Sequence, residues 1–259
     1  MRCIYREKSY KCGEYKEVYV YPVYAATIKT ARGGIRRRKA KPTSEAQARL
    51  NKRTSENNLV RLLNANFTSS DLAFDLTYRE DENPSTDKQA LRELQNFLRR
   101  LKRYRKLHGL SPLKYIAVTA RGERKGRVHH HLVINGGVGI NVLASLWGKG
   151  YTKAAPLQFD ETGLIAKGKY MARQALGYKL FSASKNLIHP QPTSRDGRLS
   201  QRKALELCTD IYNKESFESI YEGYALAEAS SFYNEINGGV YLCVRLYKKE
   251  LKFGRKRKR

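Results

Sequence analysis

The eight residues Arg127-Val-His-His-His-Leu-Val-Ile134 constrain the fold most. They bring three of the chain's five histidines up against an unbroken apolar run, between a turn around Gly122 to Gly126 and the pair Gly136-Gly137. Bounded in this way the segment reads as a β-strand, hairpin-linked to the apolar stretch Leu113 to Ala120. Side chains alternate along a strand, so His129 and His131 share one face and His130 takes the other. At about 3.3 Å of rise per residue, the Cα atoms of His129 and His131 lie roughly 7 Å apart, near enough for two imidazoles to meet on one ion. A single histidine there would be read as a packed or surface residue. Two on one face favour a ligand pair, with His130 left as a bystander or a phosphate contact.

The surroundings extend this hairpin into a layered fold. Leu72, Phe74, Leu76 and Tyr78 alternate with polar or small residues, which predicts a half-buried strand, and Asp81 to Pro84 supply a turn. Ser85 or Thr86 can cap a helix whose apolar positions Leu91, Leu94, Phe97, Leu98, Leu101 and Tyr104 recur at helical spacing, ended by Gly109 and Pro112. The outer face of that helix is read as Arg99, Arg100, Lys102, Arg103, Arg105 and Lys106, six cations suited to phosphate contact. A short helix from Asn141 to Trp147, a strand from Tyr151 to Phe159 and a helix capped by Asp160 and running to about Leu176 follow. Short hairpins beside helical crossovers predict an α+β fold with a central, mainly antiparallel sheet flanked by helices. Toward the C-terminus, a helix around Arg202 to Asn213 and a strand from Val240 to Tyr247 precede the basic tail Lys252 to Arg259. The resulting division is a basic N-terminal extension over 1–66, low in order from Lys39 to Asn58, a core over 67–195, and a C-terminal extension over 196–259.

A formal net charge of +27 points to a polyanionic partner, and nucleic acid is the natural one. No run of about 18 apolar residues is present, so no membrane partner is expected. The charged start MRCIYREKSYKCGEYKE does not suit a signal peptide, and Cys3, Cys12, Cys208 and Cys243 lack paired spacing. Reduced thiols and a cytoplasmic location are the expectation.

A second candidate for chemistry is Tyr170 in Lys167-Gly-Lys-Tyr-Met-Ala-Arg173. On a helix Lys167, Arg173 and Gln174 share its face, and cations around a phenol favour its ionised, nucleophilic form. Spacing alone does not single it out, because the chain holds 18 tyrosines and most of them must pack or stack.

Taken in order, Ala73-Phe-Asp-Leu-Thr-Tyr78, Gly122-Glu-Arg-Lys-Gly-Arg-Val-His-His-His131 and Lys169-Tyr-Met-Ala-Arg173 resemble the three motifs of the rolling-circle replication initiators of the HUH endonuclease superfamily. The likeness is closest to initiators of small single-stranded DNA phages and related plasmids, and Leu180 to Leu187 with His189-Pro190 extends it. The resemblance implies a sheet of RRM or ferredoxin-like arrangement that presents His129 and His131 to Mg2+ or Mn2+. It implies that Tyr170, helped by Lys167 and Arg173, attacks a scissile phosphate of single-stranded origin DNA to form a 5′-phosphotyrosine. The family's usual acidic position falls at Ala120, so Glu123 is taken as the third ligand. Asp75 either supports a ligand or is one. Arg99, Arg103, Arg124, Lys125 and Arg127 are the expected DNA contacts. Gln174 occupies the place of a second tyrosine, and Tyr178 is the alternative nucleophile. No Walker pattern occurs, so a host helicase and polymerase are expected partners. Two other readings remain: a transposase or relaxase-type strand transferase, and a non-catalytic basic protein that binds single-stranded nucleic acid.

Overall fold

Alternation builds the strands and 3.6-residue periodicity the helices of the computed structural model, which describes residues 3–24, 45–122, 126–176, 180–235 and 238–249. In chain order come β1 (Cys3–Cys12), β2 (Tyr15–Tyr24), α1 (Glu45–Asn66), β3 (Leu72–Thr77), α2 (Asp87–Leu107), β4 (Tyr115–Arg121) and β5 (Val128–Ile134). They are followed by α3 (Ile140–Trp147), β6 (Thr152–Pro156), α4 (Ile165–Gln174), β7 (Ser182–Ala183) and β8 (Pro192–Asp196). The last elements are α5 (Gln201–Thr209), α6 (Lys214–Ile220), β9 (Tyr224–Asn234) and β10 (Gly239–Lys248). The fold class is α+β, as expected, with two antiparallel sheets of five strands where one was anticipated. Among the described residues no helix is long and apolar enough to cross a membrane.

The chain divides into two compact units, one of Met1–Ala40, Glu161–Gly163 and Pro190–Arg259, the other of Lys41–Asp160 and Leu164–His189. In the second unit the strand order is β6-β3-β5-β4-β7. One face of this sheet carries Phe74, Leu76, Ala117, Leu132 and Ile134, and packs against Leu94, Phe97, Leu98 and Leu101 of α2 and Leu143 and Trp147 of α3. The other face carries Ile116, Val118 and Val133, and packs against Leu59, Leu62 and Leu63 of α1 and Met171 and Ala172 of α4. Each large side chain so buried contributes about 1.5–3 kcal/mol relative to exposure. The sheet is therefore a central layer with helices on both sides.

In the first unit the order is β8-β1-β2-β10-β9, so strands from the two ends of the chain pair side by side. Helices α5 and α6 cover one face through Leu207 and Phe217 against Tyr5, Val18, Val20, Leu242 and Val244. Buried Glu7 accepts hydrogen bonds from Arg198 Nη1 at 2.8 Å and from the Tyr221 hydroxyl at 3.1 Å, which satisfies its charge within that core.

Several expectations are corrected. The supposed low-order stretch from Lys39 to Asn58 is helical from Glu45 onward, in α1, while residues 39–44 lie outside the described residues. The N-terminal extension contributes the β1–β2 hairpin as well. Thr86 caps α2 by accepting from Gln89 N, but Asp160 does not cap α4, which starts at Leu164 without a side-chain cap of its own. Arg105 is not on the outer face of α2. It is 2% exposed and donates to the carbonyls of Ser111 (2.7 Å) and Gly136 (2.9 Å) and to Ser111 Oγ (2.9 Å). Ala90, Leu94, Phe97, Leu98, Leu101 and Arg105 form one buried stripe, which the helical period alone would have extended from Leu101 to Arg105. Arg100 is also committed, donating from Nε to the Leu146 carbonyl at the end of α3. The basic tail from Lys252 and the cluster Arg36-Arg37-Arg38-Lys39 lie outside the described residues.

Candidate active site

The register of three strands assembles the site. His131 of β5 stands opposite Asp75 of β3 and Val118 of β4, and His129 stands opposite Thr77 and Ala120. Both histidines thus lie on the sheet face covered by α1 and α4, with their ring centroids 4.8 Å apart. His131 Nδ1 lies 2.7 Å from Asp75 Oδ1. A carboxylate can only accept, so Nδ1 carries the proton and Nε2 is the atom left to offer a lone pair. That Nε2 is buried and has no hydrogen-bond partner.

Burial alone would raise the Asp75 pKa. The hydrogen bond from His131, its charge and the nearby cations Lys167 and Lys153 outweigh burial and hold the carboxyl below its ordinary range. His129 is pushed down, by burial first and by His131 second, so its imidazole is neutral near pH 7. The two imidazoles side by side can then offer lone pairs to one ion.

His130 behaves differently because alternation turns it into the opposite core. It is fully buried, with Nε2 2.8 Å from the Tyr78 hydroxyl and Nδ1 2.9 Å from Thr119 Oγ1, and it packs edge-on to Tyr78 and Trp147. Burial, with smaller contributions from His129 and His131, pushes its pKa down to about 3. It is a neutral core residue and does not reach a phosphate.

Tyr170 approaches from α4. Its ring lies 5.3 Å from that of His131, edge to face, and Lys167 Nζ is 5.9 Å from the centre of the Tyr170 ring. Arg173 and Gln174 are exposed one turn further along. The position of α4 is set by α1. Asn64, buried on α1, accepts from the Leu164 backbone N–H at 3.1 Å while donating to the Val60 carbonyl at 2.9 Å, and so replaces the missing cap. Gly168 lets the two helices touch, for a Cβ there would stand 2.6 Å from Val60 Cγ2 and 3.3 Å from Leu63 Cδ1.

Gly168→Ala is therefore expected to destabilise the protein in spite of a gain of about 1 kcal/mol in helix propensity. Overpacking costs about 1–3 kcal/mol. In Gly168→Ala/Val60→Ala the added methyl occupies the space that Val60 vacates, so urea denaturation should find the pair less destabilised than the sum of the single variants by about 1 kcal/mol or more. Additive effects would show that this contact is not what requires glycine.

The remaining sequence-derived residues divide. Glu123, Arg124 and Lys125 lie outside the described residues, as does Tyr178. Among the described residues no group of three His, Cys, Asp or Glu side chains is placed to hold an ion, so the ligand set there stops at His129 and His131, with Asp75 engaged on the far nitrogen of His131. Arg127, next to the histidine strand, is half-exposed and 3.6 Å from Glu80 in an ion pair open to water, worth at most about 1 kcal/mol. Arg99 and Arg103 are exposed on α2, which packs on the face of His130, so the fold does not bring them to the histidine pair. Asn64, Gly168 and Lys153 went unnoticed in the sequence. A glycine inside a helical pattern was the one visible signal among them.

No curated protein and no solved structure is significantly similar to the chain. Residues 71–175, running from the turn before β3 through the end of α4 and holding Asp75, His129, His131 and Tyr170, match the sequence model of a family described as Replication-associated protein ORF2.

Proposed function

We propose that the protein initiates rolling-circle DNA replication by nicking and rejoining single-stranded origin DNA, with Tyr170 as nucleophile and His129 and His131 as ligands of a divalent metal ion. The observation that carries this reading is the orphaned Nε2 of His131, fixed in its tautomer by Asp75 and facing the Tyr170 ring. A buried nitrogen without a partner is costly unless something binds it, and a carboxylate behind a ligating histidine is a recurrent support for metal ligation. The likeness of this stretch to replication-associated proteins supplies the process.

The donor set fits a divalent ion with room left for phosphate and water oxygens. Two imidazoles without a described carboxylate suit Mn2+ better than Mg2+, which prefers oxygen. When bound, such an ion supplies Lewis-acid stabilisation of charge on the phosphate oxygens. The chain's residues do the rest. The Tyr170 hydroxyl loses its proton to water, aided by the positive charge of Lys167, and its oxygen bonds to phosphorus as the bond to the 3′-oxygen breaks. The 3′-oxygen takes up a proton and leaves as a hydroxyl able to prime synthesis. Because one phosphodiester replaces another, the reverse attack by a 3′-hydroxyl rejoins the strand. Host helicase and polymerase would open and copy the duplex.

The test uses the wild-type chain, Mn2+ and single-stranded oligonucleotides tiling the origin of its own replicon. A protein–DNA adduct that survives denaturing electrophoresis, carries the 5′ phosphate side and disappears with EDTA is expected. No adduct on any of them would leave the basic, non-catalytic single-strand binder as the reading.

A further inference from the structure

We propose that Tyr151 and Lys153 form a clamp for the nucleotide beside the scissile one, Tyr151 stacking on its base and Lys153 meeting its phosphate; this rests on the site assignment of the proposed function. Strand β6 is the edge strand next to β3, and its register puts Lys153 opposite Asp75. The ladder continues past the strand end, for Thr77 donates to the Tyr151 carbonyl from both its backbone N–H (2.9 Å) and its Oγ1 (3.0 Å). Alternation then places Lys153 on the face of Asp75 and His131, and Tyr151 on the face of Thr77 and His129. Two rows cross the sheet, Lys153-Asp75-His131 and Tyr151-Thr77-His129. Each spans two strand spacings, roughly 10 Å, from the edge to a histidine.

Tyr151 is 81% exposed, so its ring is not there to fill a core. Yet the backbone beneath it is held firmly. A Cβ at Gly150 would strike Thr77 O, and would come within 2.7 Å of Tyr78 C and Arg79 N, so this glycine lets the chain press directly on β3. Arg79 N donates to the Lys149 carbonyl, and Trp147 Nε1 donates to the Thr77 carbonyl at 2.8 Å. An exposed aromatic ring on a fixed backbone loses little freedom when a base stacks on it, and stacking on a tyrosine face tolerates any base. Lys153, also exposed, adds a cation on the same edge, and its field already reaches Asp75. The pair extends the site from its chemistry to the path of the strand.

The test separates binding from cleavage by using the full chain with Tyr170→Phe and a dT20 oligonucleotide, read by fluorescence anisotropy. Adding Tyr151→Ala should weaken binding about 5- to 100-fold, and Tyr151→Phe should restore it, since the stacking face returns without the hydroxyl. Lys153→Ala should lower the slope of log affinity against log salt by about 0.7, the value for one phosphate contact on a single strand. Photocrosslinking with dT20 carrying 4-thiothymidine should label Tyr151. Unchanged affinity in Tyr151→Ala with no crosslink at Tyr151 overturns the clamp, and tighter binding of rU20 than of dT20 reassigns the surface to RNA and overturns it as well. A wild-type chain that crosslinks at Tyr151 but forms no covalent adduct would remove the nicking reaction and keep the clamp, and the converse result would do the reverse.

Discussion

Tyr170→Phe is expected to eliminate the covalent protein–DNA adduct, a fall of at least about 10^4-fold, since removing a covalent nucleophile costs on the order of 10^6 in turnover in a well-studied hydrolase. The substitution is close to a single-atom deletion. Tyr170 is 48% exposed and its ring touches His131 edge-on, so phenylalanine keeps that packing and the place above which Lys167 sits. Folding and metal binding should stay as they are, and affinity for uncleaved single-stranded DNA should change by a small factor. Loss of the adduct together with unchanged Mn2+ affinity by calorimetry would assign the missing step to the phenol oxygen. An adduct that persists in Tyr170→Phe would place the nucleophile elsewhere, with Tyr178 to be exchanged next.

The elements that hold the site were legible where the pattern is local. The alternation of Leu72, Phe74 and Leu76 and the stripe from Leu94 to Leu101 predict β3 and α2 because each face is buried along its whole length. Alternation likewise separated His130 from His129 and His131. Long-range pairing was not legible. Strand β1 buries only Tyr5, Glu7 and Cys12, and its sheet is completed by β8 and β10 from far along the chain, so its mixed composition gives no clear period. Helix α1 concentrates its buried apolar residues, Leu59, Val60, Leu62 and Leu63, near its C-terminal end, and its polar first half reads as an extension.

The same limit applies to the site. Three histidines in a row announce a ligand pair, but which atom each offers depends on strand order. Only the placement of β3 beside β5 puts the Asp75 carboxylate on Nδ1 of His131. Asn64 and Gly168 matter for Tyr170 because α1 lies against α4, a contact between segments about 100 residues apart. Arg105 illustrates the opposite error. Counting it with its charged neighbours assigned it to DNA, whereas its position in the buried stripe and its carbonyl partners make it a structural cation of the α2 C-terminus.

His131→Ala and Asp75→Asn should part in a way that reports their different places in the site. On the proposed reading His131 contributes a ligand atom. Lewis-acid stabilisation is worth several kcal/mol, and at roughly 1.4 kcal/mol per decade its loss in His131→Ala should slow adduct formation on the order of 10^3-fold. Calorimetric Mn2+ binding should become undetectable as well. Asp75 touches only the other nitrogen, so Asp75→Asn keeps both imidazoles but removes the charge that fixes the His131 tautomer. Changes to such supporting groups cost about 10- to 100-fold in metal affinity, and raising the Mn2+ concentration should recover most of the lost cleavage in Asp75→Asn and none in His131→Ala. Salt-sensitive binding of single-stranded DNA should survive in both, because it rests on surface cations and on exposed aromatic rings. Wild-type Mn2+ affinity in His131→Ala would remove the orphaned nitrogen as the metal ligand. Failure of added Mn2+ to rescue Asp75→Asn would instead make Asp75 a participant in its own right, through the Lys153 and Lys167 charges gathered around it.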